Sequence, residues 1–260
     1  MSDRAGGESR RATLSRRTAL ASAGAAVLAG CGVTREQKAT APNPRRVPVA
    51  PSTTTSLPGG PARYVASGPR TANGVALTFH GSGDVTLTQQ LLTSAHQLSA
   101  PITVFGVGTW MQANPALADQ ILAGGHTLGN HTYTHPDLGS LDAAGVADEI
   151  QRCAQVLEGL EGTNGRWFRP SGIVVPTALI LEQAGLAGYP VSVGYDVDPL
   201  DYQDPGSAAI IARVTSALRP GSIVSLHTGH AGTVEAFPAL VQLIRSRRLE
   251  PVLVGDLVTR

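Results

Sequence analysis

The chain has 260 residues, of which 42% are hydrophobic and 4% are aromatic, and this length suits one globular domain with an appendage. Its net charge is uneven: residues 1–60 carry nine Lys or Arg against three acids, and residues 61–260 carry eleven Arg against sixteen acids. Nucleic-acid binding requires a basic face. The acidic balance of the larger part therefore excludes nucleic acid as the expected partner.

The first 31 residues have the pattern of an export signal. Arg16 and Arg17 precede a twelve-residue apolar run that ends at Gly30, and Cys31 follows. The run is too short to cross a bilayer core of about 30 Å, and paired arginines are typical of twin-arginine export. The letters "LAGC" resemble a lipobox, which predicts cleavage before Cys31 and a lipid on that cysteine. We expect an exported protein anchored to the outer face of the cytoplasmic membrane through this lipid alone.

The composition divides the rest of the chain into a linker and a domain. Residues 32–69 are rich in Pro, Thr, Ser and Arg and lack apolar periodicity, which indicates a semi-extended tether. Residues 70–260 carry the apolar patterns of a folded domain. We therefore expect a single catalytic domain held away from the membrane by the linker.

Short β-rich runs alternate with helical patterns along the domain. The predicted strands are "VALTF" (75–79), "ITVFG" (102–106), "HTLGN" (126–130), "RWFR" (166–169), "PVSVG" (190–194), "SIVSL" (222–226) and "PVLVG" (251–255). The predicted helices are 86–98, 116–123, one that starts at Ser140 as N-cap, 177–184, 207–218 and 233–247. This alternation predicts an α/β fold with parallel strands and outer helices, and the strand number favours a distorted (β/α) barrel of about seven parallel strands.

The helix predicted from Ser140 carries the second of the two cysteines. Val146, Ile150, Cys153 and Leu157 recur at helical spacing, which predicts one buried face. With Cys31 lipidated, Cys153 has no partner for a disulfide. We expect its side chain to fill the core rather than to react.

Polar residues follow the predicted strands, where active sites form in such folds. Five segments that are distant in sequence bring six titratable groups to this rim: His80, His131, Arg169, Asp198, Asp201 and His227. The histidines of "HTYTH" (131–135) stand four residues apart, a spacing with which two imidazoles can bind one metal ion. Two imidazoles make only half of a metal site, so we expect a further ligand from another strand end.

Five stretches, taken in order, resemble the motifs of one known family. They are "LTFHGSGD" (77–84), "GHTLGNHTYTHPDL" (125–138), "FRPSG" (168–172), "YDVDPLDYQDP" (195–205) and "GSIVSLHTG" (221–229). They are similar to T-F-D-D-G-P, H-[ST]-x-x-H, R-x-P-[YF]-G, a segment that ends in Asp-Trp, and L-x-H of the polysaccharide deacetylases with the NodB homology domain, carbohydrate esterase family four. The resemblance extends from about Val75 to Leu257.

The resemblance implies a distorted (β/α) barrel that removes acetyl groups from sugar polymers with one divalent metal ion, which would be zinc most readily, or cobalt or nickel. Together with the export signal, it implies an acetylated cell-envelope glycan such as peptidoglycan as substrate. Two alternatives stay open: a catalytically inactive glycan-binding lipoprotein, and a small-molecule amide hydrolase on the same scaffold.

The resemblance also assigns roles to individual residues. His131 and His135 match the metal pair, and His227 matches the general acid. Asp201 matches the carboxylate that orients this acid, and Arg169 matches the arginine that tethers a catalytic aspartate. Among the few aromatic residues, Tyr202, Trp167 and Tyr133 are the expected contacts with sugar rings.

The first motif departs from the family pattern. His80 stands where the resemblance implies the catalytic-base aspartate, and Gly81 stands where it implies a metal-binding aspartate. Three hypotheses follow. In the favoured one, His80 is the third metal ligand and Asp84 is the base. Zinc accepts three histidines in catalytic centres, and a histidine side chain is longer than that of an aspartate, so it could reach the metal from this position. In the second, Asp84 binds the metal and His80 is the base, and in the third the site is inactive.

Overall fold

The computed structural model describes residues 60–258. The predicted export signal, Cys31 and residues 32–59 of the predicted linker lie outside the described residues, whereas residues 60–69 of that linker include a strand of the fold. Within residues 60–258, none of the helices combines the length and the apolar character needed to cross a membrane.

Seven strands form the centre of the described fold, and every strand pair runs parallel. The strands are β1 (Arg63–Val65), β2 (Gly74–Gly81), β3 (Thr103–Gly106), β4 (Thr127–Asn130), β5 (Val191–Val193), β6 (Ile223–His227) and β7 (Glu250–Val252). The ladder order is β4-β3-β2-β6, with β7 also paired to β2, and β1 pairs with β5. The predicted α/β architecture is therefore confirmed.

Isolated bridges, rather than ladders, link the two sheets. Phe168 bridges to Asn130 on one side and to Ser192 on the other, and Val197 bridges to Val224. The predicted strand at 166–169 was therefore wrong as a regular strand, although its backbone occupies a strand position between β4 and β5.

Eight helices connect the strands within the described residues. They are α1 (Val85–Gln97), α2 (Gly108–Ala113), α3 (Pro115–Ala123), α4 (Ala143–Glu161), α5 (Ala178–Leu186), α6 (Ser207–Ala217), α7 (Ala231–Ser246) and α8 (Val254–Val258). The N-cap of α4 is Asp142, whose carboxylate accepts the Gly145 N–H, and not Ser140, which ends a short 3₁₀ turn. Helix α8 replaces the end of the predicted strand 251–255, while α2 and β1 were not predicted.

Side-chain alternation separates two apolar layers. Leu77 and Phe79 of β2 pack with the helices, in a cluster that includes Leu91 of α1 and Leu240 of α7. Ala76 faces the opposite way and packs with residues of β3, β5, β6 and α8 in a second cluster. Because successive strand residues point to opposite faces, the barrel interior continues from Ala76 through Thr78 to His80. The carboxyl ends of the strands thus bring polar side chains to one rim.

Candidate metal centre and active-site pocket

Three histidines meet at the carboxyl ends of β2 and β4. His80 is near the end of β2, His131 directly follows β4, and His135 lies four residues further along the same loop. One ring nitrogen from each residue lies within 4.8 Å of the others. His131 is fully buried and His80 is partly buried, whereas His135 is exposed. The half-site predicted from "HTYTH" is therefore joined by His80.

Hydrogen bonds define which nitrogens could bind a cation. His131 Nδ1 is 2.9 Å from the Arg169 carbonyl oxygen, and because a carbonyl only accepts, this nitrogen carries the proton. The Nε2 atom of a neutral His131 then carries a lone pair, and this atom lies 2.7 Å from His80 Nδ1. Three imidazoles fit the protein donor set of catalytic zinc, and imidazole also suits nickel.

The electrostatic environment keeps these imidazoles neutral. Burial, supported by the neighbouring histidines and Arg169, lowers the pKa of His80 and of His131 well below the ordinary value of 6.5. Burial also lowers the pKa of His135. A metal ligand must be a neutral imidazole, so the surroundings favour the form that can bind a cation.

The loop between His131 and His135 is held in a strained conformation. Thr132 and His135 have positive φ angles of 66° and 63°, which are uncommon for residues with a Cβ atom. Glu149 of α4 accepts the N–H groups of Tyr133 and Thr134, both at 2.8 Å, and the Thr134 hydroxyl at 2.6 Å. This carboxylate is 7% exposed, so the loop is fixed to α4 by a buried charge.

A histidine–aspartate pair lies beside the three histidines. His227 Nδ1 is 2.8 Å from Asp201 Oδ1, and the His227 backbone N–H donates to Asp201 Oδ2 at 2.8 Å. Thr233 also donates to Oδ2, and Asp201 is fully buried. The His227 ring stacks on His80 with centroids 4.4 Å apart. Because Nδ1 is occupied, His227 offers Nε2 for proton transfer.

These groups open into one cavity of about 310 Å³, which we call the histidine pocket. Tyr202, 46% exposed, is at its rim, and Val174 is exposed on another part of the wall. The cavity is lined by His80, His131, His135, Pro170, Gly172, Ile173, Val174, Tyr195, Asp198, Tyr202, Ser225 and His227. The combination of apolar walls with a few polar groups is typical of a ligand site.

Arg169 is a buried cation near the pocket, without a carboxylate partner among the ion pairs of residues 60–258. It is 1% exposed and donates to the carbonyls of Val193 and Gly194 and to the Thr78 hydroxyl. Its remaining nitrogen has no partner within the described residues. Burial lowers the pKa of Arg169 to about 9. The aspartate that such an arginine was expected to tether is replaced by His80.

Asp201 and Arg169 do not themselves line the histidine pocket, and three further predicted site residues do not line it either. Asp84 caps α1 by accepting the Leu87 N–H at 2.8 Å, and the favoured hypothesis had placed this carboxylate at the reacting water. Trp167 is 4% exposed and packs in the inner cluster with α8, so it cannot contact sugar as expected. The Tyr133 hydroxyl bonds Gln112 and its ring lies under Arg152, in a separate groove.

Cys153 agrees with the sequence analysis, and two further histidines make structural contacts. Cys153 is buried in the main core, and burial raises the pKa of its thiol to about 12, as expected for an unreactive side chain. His126 accepts the Ile102 N–H, although weakly, at 3.3 Å. His230 pairs with Asp204 at the start of α7.

Sequence analysis missed the roles of Glu149 and Ser225. Glu149 lies three residues after Val146 on the buried stripe of α4, and a charged residue on such a stripe was a usable signal. Ser225 Oγ lies 3.0 Å from His80 Nε2. Nothing in the chain pattern marked this contact, because it depends on the register between β2 and β6.

Comparison with known proteins adds independent findings. Residues 67–191 match the family model described as polysaccharide deacetylase. The chain is 35% identical over 159 residues to a chitooligosaccharide deacetylase of Bradyrhizobium sp. (strain ANU 289), covering 60% of this chain and 71% of the relative. It is 31% identical over 194 residues to a peptidoglycan-N-acetylglucosamine deacetylase of Bacillus cereus, covering 71% of this chain and 87% of the relative.

A solved structure supports the fold. Wild-type BA3943 of Bacillus anthracis, a CE4 family pseudoenzyme, matches with a TM-score of 0.71 at 23% identity, over 76% of this chain and 69% of that chain. This likeness concerns the architecture alone. The two sequence relatives lead to one conclusion: the chain belongs to the polysaccharide deacetylase family.

Proposed function

We propose that the chain is a metal-dependent hydrolase that removes acetyl groups from N-acetylated cell-envelope glycan, such as peptidoglycan. The observation that carries this proposal is that His80, His131 and His135 line one pocket together with His227, whose ring Asp201 holds by a hydrogen bond. The named activities of the two relatives, on chitooligosaccharide and on peptidoglycan, support the same substrate class.

His80, His131 and His135 would hold the metal, with zinc the expected ion and cobalt or nickel as substitutes. When bound, this ion polarises the acetyl carbonyl and acidifies a water molecule. The three ligands are all imidazoles, a donor set that zinc accepts in catalytic centres.

His227 would move the proton. Asp201 holds its Nδ1–H, which fixes the tautomer and leaves Nε2 to take a proton from the attacking water and to deliver it to the leaving nitrogen. The Asp84 carboxylate caps α1 and does not line the histidine pocket. We therefore assign both proton transfers to His227, and we assign Asp84 to the helix cap.

The rim of the pocket would orient the sugar. Tyr202 presents a partly exposed ring that lies 5.3 Å from the His227 ring, and Ile173 and Val174 line the cavity as well. Such surfaces can pack against the apolar face of a pyranose while polar groups bind its hydroxyls.

Residues 1–31 would export the protein and anchor it by a lipid on Cys31 to the outer face of the cytoplasmic membrane. The apolar run after the paired arginines and the lipobox-like "LAGC" support this location. The predicted linker would then carry the domain toward the glycan. Radiolabelled palmitate incorporation into the wild-type protein, but not into Cys31→Ala, is the result that supports the anchor.

The test of the activity is the release of acetate and the appearance of primary amines from N-acetylchitooligosaccharide and from peptidoglycan. We expect both products with the zinc-loaded protein, and a decrease of roughly 10²–10⁴-fold for His227→Ala, the range typical of a lost acid–base group. Asp201→Asn should also lower the rate, because the variant lacks the carboxylate that fixes the His227 tautomer.

A second candidate is a glycan-binding protein without hydrolysis. It is favoured by the loss of both first-motif carboxylates, at His80 and Gly81, and by the use of Asp84 as a helix cap. Saturable binding of the oligosaccharide without any release of acetate, in a protein that does bind zinc, would establish this function instead.

A further inference from the structure

The hydroxyl of Ser225 lies against the proposed third metal ligand. Ser225 is 1% exposed and is on β6, where the register places it beside Thr78 of β2, while His227 lies beside His80. Its Oγ atom is 3.0 Å from His80 Nε2. Ser225 therefore contacts the nitrogen of His80 that faces away from His131.

The contact matters because His80 has two nitrogens with different tasks. His80 Nδ1 faces the lone pair of His131 Nε2 at 2.7 Å. For both atoms to bind one cation, His80 Nδ1 must also carry a lone pair. The proton of a neutral His80 therefore has to be on Nε2. A buried N–H needs an acceptor, and the Ser225 hydroxyl is at the correct distance to accept this one.

The same hydroxyl can reverse its role when no cation is bound. His80 Nδ1–H can then donate to His131 Nε2, while the Ser225 O–H donates to His80 Nε2. A hydroxyl both donates and accepts, so serine satisfies either tautomer without a change of backbone. An aliphatic side chain at this position would satisfy neither tautomer.

Two departures from the family motifs meet at this contact. His80 stands where the resemblance has an aspartate, and Ser225 stands where the motif L-x-H has its leucine. We propose that Ser225 is a positioning residue that holds His80 in the tautomer and orientation required of the third metal ligand. This inference rests on the proposed function, since it presupposes the three-histidine centre.

The experiment measures zinc affinity in the full chain and in single variants by competition with a chromophoric chelator. Ser225→Ala should weaken zinc binding by roughly 10- to 100-fold, the usual effect of losing the partner of a metal-bound histidine. Ser225→Thr, which keeps the hydroxyl, should restore most of the affinity. Ser192→Ala is the matched control, because Ser192 is an equally buried strand serine whose hydroxyl has no partner among the described residues.

A spectroscopic readout separates positioning from general structural damage. The ¹⁵N chemical shifts of the His80 ring in the zinc-loaded protein should report a proton on Nε2 in the wild type, and a changed or mixed state in Ser225→Ala. Zinc affinity of Ser225→Ala within twofold of the wild type, or an unchanged His80 ring signal, would overturn the inference.

Failure of the inference can be distinguished from failure of the proposed function. If the wild type binds no zinc, the proposed metal centre is wrong. Alternatively, the wild type binds zinc, while His80→Ala loses zinc binding and Ser225→Ala retains it. In that case the three-histidine centre is supported and the proposed role of Ser225 is wrong.

Discussion

At the scale of single residues, Asp84 shows how two functions can be read from one position. Its place after "HGSG" in the first motif made it the expected base, and the same position makes it the N-cap of α1. The structure gives its carboxylate a partner, the Leu87 N–H. Helix capping by Asp is a common use of this residue type, and the tight turn before it leads the side chain to the helix rather than to the histidine pocket.

This assignment predicts that two Asp84 variants differ in stability while both keep their activity. Asp84→Asn should keep stability and deacetylation within about twofold, because Asn caps helices as well as Asp does. Asp84→Ala should lower the free energy of unfolding by about 1 kcal/mol while activity at saturating substrate is retained. Thermal melting and acetate release measure the two effects. A loss of 100-fold or more in Asp84→Asn would restore Asp84 as the base.

At the scale of elements, helix α4 and the loop that carries His131 and His135 act as one unit. Glu149 satisfies two backbone N–H groups and one hydroxyl of this loop, and Thr132 adds a hydroxyl contact to Ser171 at 2.9 Å. Two residues with positive φ lie in the loop. Such conformations cost roughly 1–3 kcal/mol each and persist only when the surroundings impose them.

We predict that Glu149 affects zinc binding by His131 and His135 indirectly, through the loop that it holds. Glu149→Ala should lower zinc affinity roughly 10- to 100-fold and speed amide exchange of Tyr133 and Thr134 in the metal-free protein. Glu149→Gln keeps acceptor oxygen and shape, so it should be milder. Asp148→Asn is the matched control, because Asp148 is the adjacent but exposed carboxylate of α4. Equal zinc affinity in Glu149→Ala and Asp148→Asn would contradict this role.

The elements also show what the sequence could predict. Apolar runs located β2, β3, β4, β5 and β6, because each of these strands is buried and bounded by turn residues. The segment at Phe168 was harder, since it makes only single bridges and no ladder. The contact of His80 with Ser225 joins residues 145 positions apart, and only the register of β2 and β6 creates it. Local patterns carry no information about such a register.

At the scale of the whole molecule, the buried histidines couple the site to stability. The pKa values of His80, His131 and His135 are lowered in the folded state, mainly by burial. Below an ordinary imidazole pKa of about 6.5, the unfolded chain therefore binds more protons than the folded one. Stability is fully present above this pH and falls as the pH decreases toward the lowered values.

We therefore expect the metal-free protein to have a smaller free energy of unfolding at pH 5 than at pH 7, measured by urea denaturation. His131→Asn should reduce this dependence, because the amide can still donate to the Arg169 carbonyl but does not titrate. A free energy of unfolding that is constant or rises as the pH falls from 7 to 5 would show that the fold does not hold these imidazoles neutral.

The central claim concerns the metal centre formed by His80, His131 and His135. The most direct measurement is elemental mass spectrometry of the full chain and of His80→Ala, both purified without a nickel column and then equilibrated with limiting zinc. We expect about one zinc per chain in the wild type and a large loss of zinc in His80→Ala. A wild-type chain that remains empty would contradict the metal centre, and full occupancy in His80→Ala would contradict His80 as its third ligand.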